Sequence, residues 1–267
     1  MPSQLQKTAQ DVLAALNAGA TLSQEDLYQL DLNGLDLQNA NLSRAILIRA
    51  NLSRTNLSCA DLSAADLRGA DLTQAVLRQA NLQGTCLYRV DLSGADLREA
   101  NLSDAKLQGA RYDSQTQFPE GFAYSTSGAI GPRANLNGAP LNTANLRGAD
   151  LQQANLLGAY LGGADLTGAN LCGARLVQAD LRRAILTGAL LRGARLNGAN
   201  LAGVDLRAAD FTQVEFEQFE SIAGADFTLA QGLTDEQRSR LLSQPEPQLE
   251  TIHPLTLRTT RESLTAS

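Results

Sequence analysis

The hydrophobic pattern of the chain has a period of five. From Leu22 every fifth residue is leucine as far as Leu107, a run of eighteen, and Tyr112 takes the nineteenth place. A second run of fifteen leucines extends from Leu136 to Leu206, followed in step by Phe211 and Phe216. Two residues before these positions stands alanine in most repeats, as at Ala60, Ala65, Ala70 and Ala75. Asp or Asn often lies between, and Ser, Thr, Arg, Gln or Gly mostly follow, so the consensus is A-(D/N)-L-x-x. This period fits neither a helix (3.6) nor a strand (2.0). On a long strand, an odd step would throw successive leucines onto opposite faces. A corner every five residues resolves the conflict: short extended pieces point Leu and Ala inward, and Asp, Asn, Gly and Ser suit the turns between them.

The A-(D/N)-L-x-x pattern resembles the pentapeptide-repeat proteins, a family numerous in cyanobacteria. The resemblance covers Ala20–Ser114 as 19 repeats and Ala134–Gln218 as 17. It implies an all-β solenoid, a right-handed quadrilateral β-helix with four pentapeptides per coil and about nine coils in all. In such a rod each coil is stabilised by its neighbours. The strand edges at its two ends leave an end-to-end dimer as an option.

Helical caps are expected at both ends. Over residues 1–19, Ser3 with Gln6 reads as a capping box, Leu5, Val12, Leu13 and Leu16 form an apolar face, and Gly19 suits a helix stop. Over 231–267, Thr234 with Gln237 is a second capping box, and the Pro-, Ser- and Thr-rich stretch 244–267 reads as a mobile tail. The second half of the rod spans 134–230, with a one-residue slip between Phe216 and Phe227 that predicts an irregular last coil. The stretch 115–133 breaks the first half (20–114) from the second and reads as one long protruding loop.

Composition narrows the chemistry. The chain has no Trp, one Met and one His, with 4% aromatic residues, so Leu and Ala must build a thin, regular core. No basic-then-apolar leader and no membrane-spanning run is evident, and three unpaired cysteines suit a reducing, cytoplasmic setting. With His253 alone and in the tail, where it reads as exposed, no His-based metal set or catalytic triad can be built. The glycines recur at turns rather than in a phosphate-binding spacing. No catalytic, cofactor-binding or metal-binding residue, small-molecule substrate or membrane insertion is expected, and the chain does not read as an enzyme.

Two places stand out as interaction candidates. With a twenty-residue coil, Tyr28, Ile48, Arg68 and Tyr88 stack in one column with Arg49 and Arg89 beside them. Aromatic and Arg side chains are enriched at binding hot spots. The second is the aromatic group Phe118, Phe122 and Tyr124 in the interrupting segment. The expected function is therefore a protein-interaction scaffold or regulatory protein with a protein partner; the resemblance to cyanobacterial members implies roles that are regulatory or unknown. The family resemblance raises an alternative, an acidic rod that imitates DNA and inhibits or protects DNA gyrase. Charge weighs against it. The first repeat block has 12 acids against 9 bases, the second 7 against 7, and half of the net −6 lies in 219–267. The absence of a basic stripe likewise disfavours direct nucleic-acid binding.

Overall fold

A computed structural model of the protein describes residues 7–266. The chain falls into two compact units divided between Ile130 and Gly131.

In the first unit the Ser3–Gln6 capping box and Leu5 lie outside the described residues. Helix α1 (Ala9–Asn17) opens instead on Thr8 and Asp11, each side chain bonding the other's backbone N–H, and it buries Val12. The repeats begin after it. In each, the carbonyl of the inward Leu accepts the N–H three residues on, as from Ala50 to Leu47 at 3.0 Å. The third residue of that turn is left-handed, for example Arg49 (φ 57) and Gly69 (φ 67). This is why glycine recurs there, since other residues enter that region at a steric cost.

Successive coils pair in parallel at a step of twenty. Asp26 pairs with Ile46, Ile46 with Asp66, Asp66 with Cys86 and Cys86 with Lys106. The bonds are short and regular, such as Leu47 N–H to the Asp66 carbonyl at 2.8 Å and Asp66 N–H to the Ala45 carbonyl at 2.9 Å. Twenty residues in four turns make a four-sided coil. Each side is reduced to a one-residue bridge between turns, because most of every pentapeptide is used in turning.

The residue before the inward Leu caps the next turn. The Asp31 carboxylate accepts the Asn33 N–H at 3.1 Å and also the Asn51 side-chain amide, one coil on, at 2.9 Å. The leucines and alanines beneath fill the interior; Leu47, Leu52, Leu57 and Ala60 are fully buried. Thr55 and Thr85 replace inward alanines, and their buried hydroxyls bond the Leu32 and Leu62 carbonyls at 3.0 and 2.8 Å.

The segment 115–133 departs from the protruding loop expected of it. Gln117 pairs with Asp96 and Ile130 with Arg111, so part of the segment continues the coil at spacings of 21 and 19 residues. Its rings take over from the missing leucines: Phe118 and Tyr124 lie 5.3 and 5.6 Å from the buried Tyr112. From Gly131 the chain belongs to the second unit, where the Arg133 N–H bonds the Gln152 carbonyl at 2.8 Å.

The second unit repeats the scheme from Asn135, which pairs with Asn155. Late in the unit the step becomes 21, at Asn200–Ser221, Asp205–Asp226 and Asp210–Gln231. The added residue is absorbed near 217–220, where the Asn197 carbonyl oxygen Oδ1 accepts the N–H groups of Glu217 and Gln218 at 3.3 and 3.2 Å.

Three helices follow, α2 (Asp235–Leu242), α3 (Glu246–Leu249) and α4 (Thr260–Thr265). The mobile tail expected over 244–267 is corrected by their packing, since Leu249 and Leu264 are buried. Their side chains satisfy the edge of the last coil. Gln237 donates to the Val214 carbonyl at 2.8 Å, Arg240 to Phe216 at 3.2 Å and Thr260 to Ile222 at 3.0 Å. Gln248 accepts the Ile222 N–H at 2.8 Å. Several of the edge groups that would invite pairing with another chain are thereby occupied. His253, expected to be exposed, is buried, and its Nδ1 accepts the N–H groups of Leu255 and Thr256 at 3.2 and 3.1 Å. Among the described residues no helix is long and apolar enough to cross a membrane.

The same end of the second unit carries two carboxyls held below their ordinary value. Burial pushes the Asp205 and Asp226 carboxyls up, but it is outweighed by the combined bonds and charge of Arg207 with Thr187 at Asp205, and by those of Thr228, Thr256 and His253 at Asp226. Arg207 grips Asp205 through Nε and Nη2, at 2.9 and 2.7 Å. A carboxyl depressed in the folded state stabilises fully above its unfolded pKa, and the contribution is lost as pH falls through the folded pKa. Thermal unfolding should therefore be level near neutrality and fall below pH about 4. Asp205→Asn should show a smaller acid-induced loss than the parent chain. Calorimetry across pH 2–7 checks this, and an identical acid loss in both proteins would contradict it.

Candidate interaction face

The column read from the sequence is assembled in the first unit. Successive coils bond through it: Gln29 N–H to the Ile48 carbonyl, Arg49 N–H to Arg68, and Gly69 N–H to Tyr88, at 2.9, 3.0 and 2.9 Å. Tyr28, Ile48, Arg68 and Tyr88 are therefore consecutive rungs, about 4.8 Å apart, and Tyr28 to Tyr88 spans about 14 Å. Inward Leu47 sends its two neighbours outward, so Ile46 joins Ile48 on the surface; Ile46 is 39% exposed and Tyr28 43%. Sequence reading missed Ile46, although its place in a column otherwise meant for Asp or Asn was the available signal.

Arg68 lies between the apolar rungs and is tied down by Asp66, whose carboxylate takes its guanidinium at 2.7 Å. Burial pushes the Asp66 carboxyl up, but the bonds from Arg68 outweigh it and hold it low. Arg49 and Arg89 occupy left-handed turn positions with φ 57 and 58. Their stems lie over Gly69 and Gly109, with Cγ 3.7 and 3.4 Å from where a Cβ on each glycine would stand.

Phe118, Phe122 and Tyr124 are brought together elsewhere, at the end of the same unit. Phe118 stacks on Phe122 and Tyr124 at 5.5 and 5.1 Å, and all three rings are half-buried. A shallow polar groove of about 420 Å³ crosses another corner of the unit, lined by Asn33, Ser53, Thr73, Ser93 and Arg54 among others. Two of its hydroxyls are spoken for, Ser53 by Asn51 and Ser93 by Asp91, both at 2.6 Å. Among the described residues no cluster of His, Cys, Asp and Glu could hold a metal ion.

A filled four-sided coil with outward side-chain ladders defines a repeat solenoid, and comparison with known proteins gives its family. The model for pentapeptide repeats matches in eight copies, over residues 26–58, 36–74, 55–94, 75–111, 149–188 and 174–213. The chain belongs to the pentapeptide repeat family, whose members fold as right-handed quadrilateral β-helices.

Among solved structures, HetL is 31% identical, with 85% of this chain and 98% of that one covered and a TM-score of 0.37. HetL is a pentapeptide repeat protein involved in heterocyst differentiation regulation in the cyanobacterium Nostoc sp. strain PCC 7120. A second pentapeptide repeat protein of Nostoc PCC 7120 is 37% identical over 46% of this chain and 93% of its own, with a TM-score of 0.27. QnrB1, a plasmid-mediated fluoroquinolone resistance protein, is 20% identical over 83% of this chain and 89% of its own, with a TM-score of 0.32. No curated protein matches the chain.

Proposed function

We propose that the chain is a non-enzymatic scaffold or regulatory protein that presents the outer ladders of a quadrilateral β-helix of about nine coils, closed by helical caps, to a protein partner. The observation that carries this reading is the filled interior. Inward leucines from Leu32 to Leu97 are at most 1% exposed, so the side chains left to act are those on the faces. The column from Tyr28 to Tyr88 is the face of the first unit taken to carry this role, because aromatic, apolar and Arg side chains interrupt its polar ladder. A reducing, cytoplasmic setting fits its free cysteines.

Duplex imitation and gyrase binding form the competing reading. A mimic needs uncompensated negative charge along its length. Here the acids of the ladders are repeatedly neutralised in place, as Asp66 is by Arg68, Asp96 by Arg98, Asp180 by Arg182 and Asp205 by Arg207. The bonds from α2, α3 and α4 to the last coil stand against an end-to-end dimer through that end.

The test is affinity capture from the soluble extract of the organism that carries the gene, with folded and acid-unfolded chain as baits, and a gyrase supercoiling assay beside it. A protein retained by the folded bait alone, with supercoiling unchanged, is expected. Clear inhibition or protection of gyrase at micromolar protein would favour the competing reading, and no selective retention would sink the scaffold reading.

A further inference from the structure

The face carrying Ile46 and Ile48 gives up the turn caps that the rest of the first unit keeps. On the other three faces the Asp or Asn before the inward Leu accepts the N–H two residues on, from Asp31 and Asp36 through Asn81 and Asp96 to Asn101. Val76 and Arg111 are the departures there before the irregular end. On this face the cap survives only at Asp26 and Asp66, with 3.1 and 3.2 Å bonds to the N–H groups of Tyr28 and Arg68. Ile46, Cys86 and Lys106 stand at the other three rungs, and neither an isoleucine nor a lysine side chain can accept that bond. The exchange forfeits a local hydrogen bond and leaves Ile46 39% exposed.

Charge on the face is equally distinctive. Arg44, Arg49, Arg89 and Lys106 make no ion pair among the described residues. The acids among the same rungs are Glu25, paired with Lys7, Asp66, paired with Arg68, and the singly placed Asp26 and Asp104. A chain of net charge −6 thus carries one apolar strip bordered by unpaired cations.

From this we infer that the face from Tyr28 to Tyr88 binds an acidic protein segment that places an aliphatic or aromatic side chain against Ile46 and Ile48 and its carboxylates near Arg49 and Arg89. This inference rests on the scaffold reading and names the partner's chemistry. Two arginines two rungs apart stand about 10 Å from each other. Carboxylates two residues apart on an extended segment share a face about 7 Å apart, and the long arginine side chains can span the difference. The apolar centre favours a peptide over a nucleic acid, which would be held by cations along its backbone.

The experiment selects from a random library of displayed peptides of roughly eight residues, long enough when extended to cross the face. The full chain is the bait, and a single-stranded oligonucleotide is titrated in parallel. Two double variants separate binding from folding. Ile46→Asn with Cys86→Asn restores the turn caps and should unfold at the same or a higher temperature. Arg49→Glu with Arg89→Glu reverses the charge at positions where glutamate is already tolerated, as at Glu99 (φ 63).

Enriched peptides should carry more acidic than basic residues and at least one large apolar side chain. They should bind each variant at least about tenfold more weakly, and should weaken as salt rises. Basic or uncharged winners, or tighter binding of the oligonucleotide, would overturn the inference. Equal binding to parent and variants would remove this face while leaving the scaffold reading intact. No enrichment on the parent chain over a bait-free control would count against both.

Discussion

Leu171→Ala is expected to destabilise the second unit by about 2–5 kcal/mol, read as a fall in the urea midpoint at unchanged slope. Leu171 is fully buried in a column that continues to the fully buried Leu151 and Leu191, one coil to either side. The backbone at this point is fixed above and below, with the Leu171 N–H on the Leu190 carbonyl at 2.7 Å and the neighbouring Asn170 N–H on the Ala149 carbonyl at 2.9 Å. Coils held at a set spacing by these bonds cannot collapse into the space a leucine leaves, so the cavity persists. Because stability in a solenoid is a sum of neighbour terms, a defect at mid-column weakens two interfaces at once. Leu141 supplies the internal comparison. It stands in the first coil of the second unit and is only half-buried, so Leu141→Ala should cost clearly less. Equal losses at both positions would contradict the neighbour-sum description.

The second large effect is expected where the last coil hands over to the helices. A Cβ on Gly232 would stand 2.4 Å from the Thr212 nitrogen and 2.6 Å from its Cα, and φ there is +76. Both neighbours are backbone atoms and cannot swing aside. The preceding residue is a rung of the ladder: the Phe211 N–H bonds the Gln231 carbonyl at 2.7 Å, and the Gln231 N–H bonds Ala209 at 2.9 Å. Gly232→Ala must strain the turn or pull that rung apart, at a cost of about 2–4 kcal/mol. Since α2 leaves from here, limited proteolysis should cut the mutant after residue 232 far faster than the parent. Gly138→Ala is the control, with φ +63 and nothing within 4 Å, so it should carry only the left-handed cost of about 1–2 kcal/mol. A Gly232→Ala protein as resistant as the Gly138→Ala protein would refute the close approach.

These expectations lean on the features that were most legible in the amino-acid order. The inward leucines, the turn glycines and the stacking of Tyr28, Ile48, Arg68 and Tyr88 follow from a strict period, because a regular coil writes its geometry into every repeat. The one-residue slip after Phe216 was legible for the same reason: a lost register shows against a kept one.

What stayed hidden has no period. Gln117 and Ile130 fill ladder places without leucine beside them, since the rings of Tyr112, Phe118 and Tyr124 supply the bulk. Residues 244–267 have the composition of an unstructured end. The order of 244–266 comes from single long-range bonds, such as Thr260 to the Ile222 carbonyl, that no local pattern announces. The candidate face was only partly visible. Tyr28 and Tyr88 are conspicuous as aromatics, whereas Ile46 matters for the cap it fails to supply, and that role emerges only beside the bonds its neighbours make.

The twenty-residue step has a consequence for how such a chain can change. Within one unit, inserting four pentapeptides lengthens the stack and returns every later residue to its former side. Inserting a single pentapeptide, for instance between Ala60 and Asp61, keeps every leucine inside but turns all that follows by a quarter revolution. Arg68 and Tyr88 would then leave the side that bears Tyr28 and Ile48, with the interior undisturbed. Duplication of short gene segments can therefore re-deal the surface of this architecture while its folding rule stays the same.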